Sequence, residues 1–86
     1  MDKFLFDQLR TTVLDLLLRR GVESSICPSE VVRKICPENW RDHMDDMRCV
    51  ARQMRSEGLI DITQKGIILT EDNWKGPIRL KLKREE

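Results

Sequence analysis

The apolar period of this chain changes once, at Gly58, and the change orders the fold: helices before it, strands after it. Upstream, Met47, Val50, Ala51 and Met54 recur at spacings of three and four, which sets them on one side of a 3.6-residue helix running from Met44 to a stop at Gly58. Downstream, Ile60 and Ile62 alternate with Leu59, Asp61 and Thr63, the period of a strand. A chain of 86 residues has room for one modest core, so both halves must share it.

Two further helices precede this point. Lys3 to Arg20 has no internal Gly or Pro and places Leu5, Leu9, Val13, Leu16 and Leu17 on one face, and Gly21 ends it. Phe4, Leu14 and Leu18 lie on a different side, so the apolar surface is wider than one core contact requires. A helix wedged between neighbours explains that width, and so does a dimer contact through Phe4, Leu14 and Leu18. A short second helix is predicted from Pro28 to Ile35. Proline suits its first position, Glu30 its first turn, and Val31, Val32 and Ile35 its buried side. Pro37 cannot continue it, and Pro37 to Arg41 reads as a tight turn in which Trp40 caps the core.

After Ile62, Lys65-Gly66 signals a turn, and Ile67, Ile68 and Leu69 are placed to pair briefly. Thr70 to Asn73 is polar and reads as a turn or one helical turn, with Trp74 as an anchor before Lys75-Gly76-Pro77. Ile78, Leu80 and Leu82 then alternate with Arg79, Lys81 and Lys83, giving a second strand with one apolar and one basic face. Residues 1–2 and 84–86 are expected to fray. Three helices followed by a hairpin with a long polar tip is the element order of a winged helix-turn-helix, mainly α with a small β-hairpin, in one domain spanning residues 1–86.

Charge is distributed unevenly. Residues 1–46 hold seven Lys or Arg against nine Asp or Glu, and residues 47–86 hold nine against six. Affinity for nucleic acid must then come from a local patch. Arg48, Arg52 and Arg55 follow helical spacing beside the apolar side of the third helix, and Arg52 and Arg55 have no acid three or four residues away. Placed in a major groove, Arg52 and Gln53 suit guanine and adenine edges, while Arg41, Arg55, Lys65, Lys75, Arg79 and Lys81 suit phosphates. The leading expectation is therefore a DNA-binding protein, a transcriptional regulator with double-stranded DNA as partner and a homodimer through the first helix. It requires guanidiniums 48, 52 and 55 to stand clear of the folded body with no carboxylates beside them. The alternative is a winged-helix protein-interaction or dimerisation module.

Other classes find little support. His43 is the only histidine, no Gly-rich phosphate loop occurs, and Asp45-Asp46 point about 100° apart on a helix. Glu71-Asp72 read as solvated. Cys27, Cys36 and Cys49 lack metal or redox spacing and read as small buried thiols. No enzyme activity, metal or cofactor is expected. Without a signal peptide or an apolar stretch of membrane-spanning length, the expected location is the cytoplasm.

Ile26-Cys27-Pro28-Ser29-Glu30-Val31, Trp40-Arg41, the run Gly58 to Gly66 and Gly76-Pro77-Ile78-Arg79-Leu80 together resemble the small bacterial proteins known as domain of unknown function 3253. The likeness covers about residues 9–82. Its most specific pieces are ICPSEV, ITQKG and GPIR. It implies a winged-helix-like fold in a bacterial protein with no assigned activity, and it transfers no site residues.

Overall fold

The computed structural model describes residues 2–83, and the expectation of fraying at residues 1 and 84–86 lies outside them. Asp2 does not fray. Its side chain accepts a 2.8 Å hydrogen bond from the Phe4 backbone N–H and caps helix α1, Lys3–Arg20. Helix α2 spans Pro28–Ile35 with proline in its first turn. A single 3-10 turn, Trp40–His43, leads directly into α3, Met44–Ser56, which closes two residues before Gly58. Gly58 itself holds a φ of 77°, the left-handed conformation glycine supplies after a helix.

The strands are β1 (Ile60–Gln64), β2 (Ile67–Ile68) and β3 (Arg79–Leu82), arranged β2-β1-β3. Lys65 and Gly66 both have positive φ, 53° and 81°, and close the β1–β2 hairpin as a two-residue turn whose twist matches the strands. β3 returns antiparallel to β1, with Ile60 opposite Leu82 and Ile62 opposite Leu80. The wing is thus three-stranded, and residues between β2 and β3 form a loop with no helical turn at Thr70. A further pairing was not anticipated. Ile26, in the α1–α2 connection, exchanges two 2.8 Å backbone hydrogen bonds with Leu80 on the far edge of β3.

One core joins all of this. Leu9, Val13 and Leu17 of α1, Val31 and Val32 of α2, and Met47, Val50, Ala51 and Met54 of α3 meet Ile26, Ile60, Ile62 and Leu80, every one fully buried. Leu5, Ile35, Trp40 and Leu82 are partly buried against it. Thr63 interrupts the alternation of β1 because that strand is central, flanked on both edges. Ion pairs brace the helices from outside: Arg20 with Glu30 between α1 and α2, and Arg10 with Glu57 between α1 and the end of α3. Among the described residues, no helix is long and apolar enough to cross a membrane.

The first helix divides its second apolar group. Leu14 is half-buried and packs against the core, as a wedged helix would require. Phe4 and Leu18 remain 69% and 68% exposed.

Candidate nucleic-acid interface

Helix α3 is positioned by its four buried residues, so the direction of every other side chain follows from 100° steps. Asp45, Cys49, Gln53 and Ser56 face solvent. Arg48, Arg52 and Arg55 run along one flank and are half-buried. The cover on Arg52 and Arg55 is the loop between β2 and β3. Arg55 pairs with the Asp72 carboxylate and donates at 3.2 Å to the Glu71 carbonyl, leaving its side chain 19% exposed. Arg52 donates at 3.4 Å to the Asp72 carbonyl, and its guanidinium lies 4.7 Å from the centre of the Trp74 ring. Arg55 lies 5.8 Å from the same ring.

The open row expected from sequence is therefore closed at two of its three members. Acids absent within three or four residues of Arg52 and Arg55 arrive from a loop 16 to 20 residues later. Glu71 and Asp72 are not merely solvated: one offers its main chain and the other its carboxylate to α3. Arg48 makes no ion pair with Asp45 or with any other described acid.

The closure is imperfectly satisfied. Arg52 Nε and Trp74 Nε1 are both buried without an acceptor. Each orphaned buried donor costs on the order of 1–3 kcal/mol, so the two together offset what an exposed ion pair and two cation–π contacts return. The loop is thus held by opposing contributions of similar size.

The remaining expected contacts are scattered in kind. Gln53 is exposed on the outward side of α3. The guanidiniums of Arg41 and Arg33 lie 4.7 and 4.1 Å from the centre of the Trp40 ring, so Trp40 both packs on the core and carries cations. Lys65 and Lys75 are exposed without ion pairs among the described residues, and Lys81 is half-buried. Arg79 is occupied: its Nε and Nη2 donate to the Ser25 hydroxyl and carbonyl at 2.6 and 2.9 Å. The N-terminal part of α3 and the turn before it are acidic, with Asp42 and Asp45 exposed and Asp46 beside His43 at 3.3 Å. The cysteines depart from a uniformly buried set, since Cys49 is exposed and Cys27 and Cys36 are half-buried.

Residues that sequence reasoning left without a site role organise the wing. Gln64 Nε2 donates to the carbonyls of Lys75 at 2.5 Å and Pro77 at 3.1 Å, fixing where the loop turns back. Gly76 sits at this point with a φ of 86°, and a Cβ there would lie 3.5 Å from Gln64 Nε2. Together with Arg79–Ser25 and the Ile26–Leu80 pairing, these bonds bring ICPSEV, ITQKG and GPIR to one place. Cys27, Gln64, Lys65, Pro77, Ile78 and Arg79 line a cleft of about 290 Å³ there. The segments that carry the family resemblance are thus those that fasten the wing to the helical layer. No curated protein matches the chain. The family model described as "Protein of unknown function (DUF3253)" matches residues 7–83, nearly the whole length, and the chain belongs to that family.

Proposed function

We propose that this winged-helix domain is a protein-interaction module that pairs with a second copy of itself through the outer side of α1. The carrying observation is the exposure of Phe4 and Leu18 directly opposite the buried face. They stand seven residues to either side of Thr11, which is also exposed. Two α1 helices packed antiparallel about Thr11 bring Phe4 of each copy against Leu18 of the other, an arrangement that satisfies a two-fold axis with one patch. A shallow, mostly apolar depression of about 270 Å³ lined by Phe4, Asp7, Gln8, Thr11 and Thr12 lies where the opposing leucine would enter.

The expected affinity is low. Covering the exposed parts of four apolar side chains returns on the order of 4–8 kcal/mol, and association costs roughly 4–15 kcal/mol. At the favourable ends of both ranges the net is about 4 kcal/mol, a dissociation constant of about 1 mM, so dimer accumulates between about 0.1 and 1 mM. Sedimentation velocity across that range tests it: the weight-average coefficient rises with concentration in the wild type and stays monomeric in Phe4→Ser/Leu18→Ser. A wild-type protein that remains monomeric up to about 1 mM refutes the reading.

Duplex binding, the competing reading, requires Arg52 and Arg55 to leave their partners on the loop. Asp42, Asp45 and Asp46 also put carboxylates at the end of α3 that a recognition helix uses to reach base edges. With the loop closed over Arg52 and Arg55, the interaction module is the better-supported resting role.

A further inference from the structure

The loop between β2 and β3 places a carboxylate where a phosphate would sit. Asp72 is 60% exposed at its side chain and occupies the Arg55 guanidinium, and two main-chain carbonyls take the neighbouring donors. From these contacts we infer that Arg48, Arg52, Arg55 and Trp74 form a binding face for duplex DNA phosphates, with the Asp72 loop as a displaceable mask over it.

Three observations support the mask over a purely structural latch. The first is that the pair is at the surface, where added salt and competing anions reach it. Second, the closed loop leaves Arg52 Nε and Trp74 Nε1 buried with no acceptor, and displacement gives both access to water or to phosphate oxygens. Third, Arg48 lies one helical turn before Arg52 on the same flank and has no ion pair among the described residues, so opening completes a row of three guanidiniums. Guanidinium forks match phosphate oxygens at least as well as they match a carboxylate, so a chain of phosphates competes directly for Arg55. Gln64 holds the C-terminal end of the loop through Lys75 and Pro77, leaving residues 70–73 as the part that moves. The proposal is independent of pairing through α1, which uses the outer side of a different helix.

The test is duplex binding by the intact chain. Random-sequence duplex DNA is titrated at low and rising salt with wild type, Asp72→Asn, Asp72→Ala and Asp72→Ala/Arg52→Ala/Arg55→Ala. Freeing the arginines adds phosphate contacts, each worth a slope of roughly −0.9 in log K against log salt. The Asp72 variants are therefore expected to bind more tightly than wild type, with a salt dependence steeper by about 1 to 2, and the triple variant to lose the gain. Trp74 emission, followed in a Trp40→Phe background, is expected to shift in Asp72→Asn without DNA and in the unsubstituted loop on adding DNA. Circular dichroism establishes that each variant is folded, and Asp72→Asn preserves side-chain size if the alanine variant is not. Equal affinity and slope in wild type and folded Asp72→Asn overturn the proposal. Tighter binding to single strands alone, or no duplex binding by any variant at low salt, overturns it as well.

Discussion

Replacing Gln64 by methionine keeps the length and apolar stem of the side chain and removes both hydrogen bonds that its amide donates to Lys75 and Pro77. Each such bond contributes about 0.5–1.5 kcal/mol net. Water reaches part of this half-buried site and restores some of the loss, so the expected destabilisation is about 1–2 kcal/mol. For a chain of this size each kcal/mol moves the melting temperature by about 4–8 °C, which puts the drop at roughly 4–16 °C. Thermal unfolding followed at 222 nm reads it directly. Gln64→Glu separates hydrogen bonding from packing, because it sets a carboxylate against two carbonyl oxygens and is expected to melt at or below the methionine variant. A methionine variant within about 1 °C of wild type, well inside the shift that 1 kcal/mol produces, would falsify the claim that this amide holds the loop's return. Hydrogen exchange adds a local check, since the amides of Ile78 and Arg79 are expected to lose protection before those of residues 60–62 in β1.

Other outcomes follow from single contacts. Lys65 occupies the first position of a two-residue turn with a φ of 53°, a conformation that asparagine tolerates better, so Lys65→Asn is expected to stabilise by roughly 0.5–1 kcal/mol in the same melt. A lower melting temperature would count against that turn geometry. Thr11→Cys, made in a Cys49→Ser background to remove the exposed native thiol, is expected to form an interchain disulfide under mild oxidation, because residue 11 lies on the proposed two-fold axis. Non-reducing electrophoresis showing no more dimer than Cys49→Ser alone would refute pairing about Thr11.

Local periodicity carried most of the fold. The bounds of α1 and α2 are written in helix punctuation: Gly21 after one, Pro28 and Pro37 around the next. The turn at Lys65-Gly66 and the alternation of Ile60 and Ile62 were equally legible. What escaped depends on partners distant along the chain. A search for acids three or four residues from Arg55 finds none, because the acid that pairs with it is Asp72, delivered by a loop whose path is set by Gln64 and Gly76. Ile26 carries no strand signal for a similar reason: a single bridging pair leaves no two-residue period to detect. On α1 the three apolar residues off the main face, Phe4, Leu14 and Leu18, read as one group, yet only the position of the neighbouring helices decides that Leu14 is half-buried and the other two exposed. Cys49 shows the limit of composition, since a small apolar residue on a helix is placed by its angle from the core and not by its type.

The pairing of Ile26 with Leu80 has a consequence for how the domain comes into being. A connector near the beginning of the chain finds its hydrogen-bonding partner in the last strand, 54 residues later, and the same strand covers Ile60 and Ile62. Closing a loop of that length costs more chain entropy than forming any single helix or the β1–β2 hairpin, so the three helices can gather loosely before Leu80 reaches Ile26. Completion of the native state is thus a late event that takes in helices and wing together, and a chain that has not yet seated Leu80 leaves Ile26, Ile60 and Ile62 open to chaperones or to aggregation.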